Sequence, residues 1–377
     1  MEKNSQMTSF LDLQRTVLPF IESCRLQEGA GHYRYSTAVS KKTLYSSTYA
    51  AMTKSLLGSL SLIDDNEKEV WAEYLNSHQD NDGLFRDPVI FGEGWYENDP
   101  LWCGRTHLTC HVLTALECLG HIAEKPISFL DEYKDLDKLG KWLSGLDFNE
   151  RVDFTGNEIM NIGTLLQYSR DFHSDDKAGK AASFILDWLS KNHTNKESGI
   201  WGNLDISNPI QRSKSVQAAY HWWPLFFYDK HPVPYAESAI DTVLQTQNPI
   251  GGFGWGIHNS KEPYLSSACE DIDSVDPLVR LSTLTQYRSI EIKNALLKAK
   301  NHIMSNQMTD GGFVFIRDQE FMYGHPQLYG EADKGAMFPT WFRTLSLSLL
   351  DTYLCKMENI PTPYHFVNAP GFQFWKE

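Results

Sequence analysis

The stretch Gln247-Asn248-Pro249-Ile250-Gly251-Gly252-Phe253-Gly254-Trp255 returns along the chain in looser form. It reads Gln79-Asp80-Asn81-Asp82-Gly83-Leu84-Phe85 upstream and Gly199-Ile200-Trp201-Gly202 in the middle. Downstream it is Gln307-Met308-Thr309-Asp310-Gly311-Gly312-Phe313, with a last echo in Pro370-Gly371-Phe372-Gln373-Phe374-Trp375. Aligned on the glycine before the apolar residue, the copies fall at 83, 199, 252, 312 and 371, about 58 residues apart with one double step. Gly145-Leu146-Asp147-Phe148 stands where the missing copy belongs. Six copies at one spacing describe a repeat architecture, in which each unit buries its apolar face on the next.

Each period holds two helical patterns. The segments just before the glycine phrase are amphipathic: 67–78, 136–143, 181–192, 236–246 and 290–305. The segments before those are apolar or small nearly all round: 43–63, 106–119, 160–168, 215–228, 275–287 and 338–354. Helices apolar on every side are buried, and helices with one polar face lie outside. Six inner helices, with 9–26 supplying the remaining outer one, predict an all-α (α/α)6 toroid occupying 1–377 as one domain. Glycine after each outer helix suits a left-handed cap. Gln79, Gln247 and Gln307 are placed to bond the open carbonyls at those helix ends.

Composition narrows the function. The 377 residues carry 34 basic and 48 acidic side chains, a net charge of −14, which argues against a nucleic-acid binder. The chain is 41% hydrophobic and 13% aromatic, enough for a large core, yet no apolar run approaches the roughly 18–20 residues of a membrane helix. Met1 to Phe10 has no signal-peptide core, and the six cysteines form no CxxC pair. Reduced thiols in a cytoplasmic protein are the expectation.

A glutamine, a short spacer, then glycine and an aromatic at helix ends resembles the QW-type repeats of squalene and other terpene cyclases and their protein prenyltransferase relatives. The 247–255 copy carries the resemblance best. The Asp, Cys and His set with which prenyltransferase β-subunits hold zinc has no counterpart here. A second match is local. Asp271-Ile272-Asp273-Ser274-Val275-Asp276-Pro277-Leu278-Val279-Arg280-Leu281 resembles the Asp-x-Asp-Asp motif of class II terpene cyclases with its trailing Arg-Leu. The resemblance implies Asp273 as the acid that protonates an alkene, with Asp271 supporting it and Arg280-Leu281 as the trailing pair. Ser274 stands in place of the last Asp, and Asp276 lies two residues off. Clustered carboxylates in a dry cavity raise one another's pKa, as such chemistry requires. Asp271, Asp273 and Asp276 are read as lying just before or inside the first turn of the fifth inner helix, with Pro277 near its start. Asp and Ser ahead of a proline are equally ordinary helix-capping residues.

Polar residues on apolar inner helices are the remaining candidates for a lumen site. Arg105, His107 and His111 lie on the second inner helix, the histidines one turn apart. A zinc site built with Cys103 and Cys110 would need a ligand from another segment. His221, Trp222 and Trp223 lie on the fourth, following Arg212. Trp341 and Arg343 lie on the sixth, and Tyr45 and Tyr49 on the first. Aromatic faces there would stabilise a carbocation, stack on sugar, or fill a core. Trp95, in the long 86–104 loop, and the 317–334 connection are read as mouth walls on the rim of the acidic cluster.

Three functions stay open. The first is a class II-like terpene cyclase acting on a hydrophobic prenyl chain, with Mg2+ as a cofactor should the substrate be a diphosphate. The second is a carbohydrate-active hydrolase or lyase with two carboxylates across a cleft. The third is a toroid scaffold without chemistry. A homo-oligomer is compatible with each.

Overall fold

The computed structural model describes residues 5–91 and 104–371. Twelve α-helices run through them: α1 (Ser5–Ser23), α2 (Leu44–Leu56), α3 (Asp65–Asn76), α4 (Arg105–Leu119), α5 (Leu136–Gly145), α6 (Val152–His173), α7 (Asp176–Lys191), α8 (Pro209–Tyr228), α9 (Ala236–Leu244), α10 (Ala268–Leu281), α11 (Ser289–Ser305) and α12 (Met337–Met357). One small antiparallel hairpin pairs β1 (Phe321–Met322) with β2 (Tyr329–Gly330).

The even-numbered helices form a closed inner ring. Each packs on the next, and α12 returns onto α2. The odd-numbered helices lie outside, with α1 against α12 completing the circuit. Sequence pattern explains the sorting. Helix α12 is buried continuously from Met337 to Cys355, whereas α3 buries only Trp71, Ala72 and Leu75. The fold is an all-α (α/α)6 toroid. No described helix is long and apolar enough to cross a membrane.

The glutamine turns hold neighbours together rather than capping the helix they follow. Nε2 of Gln79, Gln247 and Gln307 donates to the carbonyl of Gly83, Gly251 and Gly311 within its own turn, at 2.9, 3.0 and 2.9 Å. The same nitrogen reaches the next repeat: the Lys125 carbonyl, the Ala295 carbonyl on α11, and Thr16 Oγ1 on α1, each at 2.8 Å. The last of these bonds joins the end of the chain's circuit to its beginning. Gly311 shows why glycine is needed: at φ 90° it sits so close that a Cβ would lie 2.1 Å from the Thr16 carbonyl oxygen.

Three further features depart from the sequence expectation. A bridge between Arg25 and Tyr33 repeats the turn after α1, with Arg25 at the bridge position that Gln79, Gln247 and Gln307 take in theirs. The 145 copy ends α5 without such a bridge among the described residues. The 371 copy follows an inner helix, not an outer one. There the segment 361–371 crosses the C-terminal side of the ring. His365 N–H donates to the Leu56 carbonyl, the Tyr364 hydroxyl to Asp351, and Gly371 lies against Thr114.

The fifth inner helix also begins earlier than expected, at Ala268. Ser267 Oγ accepts from Glu270 N–H while the Glu270 carboxylate accepts from Ser267 N–H, a reciprocal cap at 3.1 and 3.0 Å. Pro277 therefore lies inside the helix and has no N–H to offer the Asp273 carbonyl one turn earlier.

Replacing Gln307 by Leu removes both of its bonds and opens the seam to α1. Unfolding in urea is expected to show a loss of about 1–3 kcal/mol, with the helical circular dichroism of the folded state kept.

Candidate functional site

The turns also set the register of the inner helices. The Phe85 N–H donates to Thr109 Oγ1 on α4 at 2.8 Å, and the Phe313 N–H to Thr340 Oγ1 on α12 at 2.9 Å. In the α10 repeat the same acceptor is a carboxylate: Phe253 N–H to Asp271 Oδ1 at 3.1 Å. Thr109, Asp271 and Thr340 thus occupy one repeat position. Two residues before it stand His107, Cys269 and Phe338; two residues after it stand His111, Asp273 and Phe342.

Five of those six residues (all but His111) line a cavity of about 340 Å³ at the N-terminal end of the ring. Its wall is aromatic: Phe154 from α6, Phe315, Phe321 and Tyr323 from the connection before α12, and Phe338 and Phe342 from α12. The hairpin holds its rings in place by stacking, with Phe315 on Phe321 at 3.8 Å and Tyr323 on Phe338 at 4.6 Å between centroids. Polar groups are few and placed: Asp153 and Asn157 on α6, Gln217, Tyr220 and His221 on α8, His258 before α10, and Cys269 and Asp273 on α10.

Four carboxylates lie on the first three turns of α10, and their surroundings separate them. Asp271 is fully buried and takes the Arg343 guanidinium at 2.7 Å, which also donates to the Ser266, Val314 and Phe315 carbonyls. Asp276 is ion-paired with Arg280, one turn on along the same helix. Burial works to raise Glu270, yet hydrogen bonds from His258 and Ser267 outweigh it and hold the group below the usual carboxylate range. Asp273 has no such partner. It is 4% exposed, its Oδ2 has no hydrogen-bond partner among the described residues, and no described cation is paired with it. Burial first, then the charges of Glu270, Asp271 and Asp276, push it well above the ordinary value for an aspartate. Burial raises Asp276 as well, but there the Arg280 guanidinium works against it, whereas Asp273 has no cation among the described residues to do so.

Burial lowers His107 well below its usual value, with His111 and His221 adding to the effect, and brings His111 and His221 down to about 4. Nδ1 of His221 meets the Gln217 carbonyl at 2.6 Å, which sets that nitrogen as the protonated one in a neutral ring. His107 Nδ1 lies 2.6 Å from the Tyr45 hydroxyl.

Of the residues singled out in the sequence, Asp273, His107 and His221 line the cavity. Tyr45 and Tyr49 form a layer behind it, stacked on each other at 5.8 Å and touching His111. Asp271, Asp276 and Arg280 lie beneath it in ion pairs. Trp222 and Trp223 do not reach it: both are fully buried around Trp201, at 5.3 and 6.0 Å. Trp341 is fully buried and outside the lining. Arg105 turns to Asp82 at 2.9 Å, and Arg212 to the Gln245 carbonyl at 2.9 Å. The Cys110 thiol points to Asn161, and no described residues form a cluster suited to a metal ion. Trp95 and Cys103 lie outside the described residues.

Sequence pattern alone passes over Asp153, Phe154, Asn157, Tyr220, His258, Cys269, Phe315, Phe321 and Phe342. Two of these carry a signal, since Asp153 and Asn157 are one turn apart. They are hidden because the third inner helix begins at Val152, a full two turns before the apolar run that marks it.

No family model matches the chain, and no curated protein is similar to it in sequence. Solved structures are similar in fold. A polysaccharide lyase superposes over 95% of this chain and 99% of its own at 8% identity, with a TM-score of 0.52. A glycosyl hydrolase of family 88 from Bacteroides vulgatus covers 92% and 99% at 11% identity, with a TM-score of 0.53. A type II terpene cyclase from Scytonema, solved with geranylgeranyl dihydroxybenzoate, covers 92% and 99% at 12% identity, with a TM-score of 0.49. At such identities the likeness is one of fold, an all-α toroid, and does not choose a chemistry.

Arg343→Met strands the Asp271 charge and is expected to cost about 3–5 kcal/mol in urea unfolding. Adding Asp271→Thr restores the residue type found at 109 and 340 and should recover most of that loss. Asp273 gives a pH signature. Its folded-state pKa is raised, so its contribution to stability is complete below the unfolded value of about 3.9 and fades as pH climbs toward the folded one. Asp273→Asn should therefore gain stability over the parent as pH rises above about 4, in thermal melts at each pH.

Proposed function

We propose that the cavity is an acid-catalysis site in which Asp273 protonates a carbon–carbon double bond of a linear prenyl substrate and so starts its cyclisation. What carries this reading is one observation: the single uncompensated carboxyl of the α10 cluster opens into an aromatic-walled cavity. In the proposed step the Asp273 O–H bond breaks, a C–H bond forms on the alkene, and the adjacent carbon becomes a cation. The faces of Phe154, Phe315, Phe338 and Phe342 would stabilise that cation, and the next double bond would attack it. Loss of a proton from a neighbouring carbon, to the Asp273 carboxylate or the neutral His221 ring, returns the balance and makes the product an isomer of the substrate. Ser274 does not replace the missing carboxylate in this role, since its Oγ is engaged with Thr246 Oγ1 at 3.1 Å.

A second reading is favoured by Asp153, a second carboxylate on the same cavity. Two acids across one site suit acid–base cleavage of a glycosidic bond, and there both Asp153 and Asp273 would be needed.

Incubation with farnesol, farnesyl diphosphate, geranylgeranyl diphosphate and squalene, followed by gas chromatography–mass spectrometry, tests the first reading. A cyclic isomer is expected from the parent protein, falling at least about 100-fold with Asp273→Asn while folding is kept. Undiminished product from that variant would remove Asp273 as the acid. Release of reducing ends from oligosaccharides, abolished by Asp153→Asn as well as Asp273→Asn, would favour the second.

A further inference from the structure

We infer that the substrate of this site carries an uncharged hydroxyl at its polar end and not a diphosphate. The inference rests on the prenyl reading above and concerns the other side of the same cavity. Two acceptor atoms there, Asp153 Oδ1 and Gln217 Oε1, are buried and have no hydrogen-bond partner among the described residues. Buried acceptors left open call for a ligand that brings donors. A hydroxyl does so; a diphosphate brings only acceptors and negative charge.

Charge leads to the same answer. No lysine or arginine is among the described residues lining the cavity. The buried guanidiniums nearby are committed, Arg343 to Asp271 and Arg280 to Asp276. Arg151 lies exposed over the ring of Phe154 and does not line the cavity. His107 and His221 face it as neutral rings. His258, the remaining imidazole of the lining, is engaged with Ser267 and Glu270, so among the described residues a diphosphate would meet an acidic wall with no lysine or arginine to pair with. Among the described residues no cluster of three carboxylate, imidazole or thiol groups gathers there to hold Mg2+ apart from the phosphates themselves. A site whose buried acceptors pair with a hydroxyl discriminates strongly against a ligand that lacks it.

Isothermal titration with three ligands of one chain length separates the possibilities: farnesene, farnesol, and farnesyl diphosphate with and without Mg2+. Farnesol is expected to bind about ten-fold or more tightly than either form of the diphosphate and more tightly than farnesene. Gln217→Leu and, separately, Asp153→Asn should reduce the preference for farnesol over farnesene and leave farnesene binding unchanged. The conservative Asp153→Asn variant guards against misfolding, which would weaken farnesene equally. Diphosphate binding as tight as that of farnesol, or an unchanged farnesol preference in both variants, overturns the hydroxyl inference alone. Failure of all three ligands to bind overturns the prenyl reading and this inference with it.

Discussion

The ion pair between Arg343 and Asp271 organises both the ring and the cavity above it. Asp271 accepts the Phe253 N–H from the preceding turn and the Arg343 guanidinium from the next inner helix. Arg343 in turn collects three loop carbonyls, at Ser266, Val314 and Phe315. One buried contact thus joins α10, α12 and the loops leading into each. Where two other repeats use a threonine, this one uses a charge. Burying two ions costs several kcal/mol each unless their geometry and remaining hydrogen bonds are satisfied, and here each nitrogen of the guanidinium donates.

That arrangement decides the state of Asp273. Arginines hold Asp271 and Asp276 and hydrogen bonds hold Glu270, so Asp273 is the carboxyl of the four with no cation of its own among the described residues. The dipole of α10 would favour an anion near the helix start, but it is worth about 0.3–1 kcal/mol at the first turn and fades beyond it. Asp273 is the sixth residue of the helix, and removing a carboxylate from water costs several kcal/mol. Burial outweighs the dipole and drives the Asp273 pKa upward. Pro277 adds to this by leaving the Asp273 carbonyl without its helical donor, a further partial negative charge close by.

A lyase and a hydrolase are both similar to this chain in fold. The frame itself is therefore neutral with respect to reaction, and the chemistry of any one member rests on the lining of its site. In this chain that lining combines a ring of phenylalanines, the buried imidazoles of His107 and His221 and the unpaired Asp273 carboxyl at the N-terminal end of the inner ring. One repeat position illustrates the division: Phe342 on α12 presents an aromatic ring where α10 presents the Asp273 carboxyl.

Much of this is legible in the residues themselves. The recurrence of glycine and aromatic near every 58th residue, with apolar and amphipathic segments alternating between them, determined a closed toroid of helix pairs. Local chemistry suffices for that, because periodicity and turn residues act within a few residues of themselves. It also placed Asp273, His107 and His221 on inner helices. Helix starts escape the pattern where caps replace hydrophobic signals, as at Ser267, and where an inner helix opens on polar residues, as ahead of Met160. The surroundings of the acids were decided only by the tertiary structure. Asp271 and Asp273 are two residues apart, and only the motif's resemblance separates them in the chain, yet in the fold one meets an arginine 72 residues away and the other meets none among the described residues. A carboxyl's protonation follows from which charges reach it through space, and spacing along the chain does not contain that information.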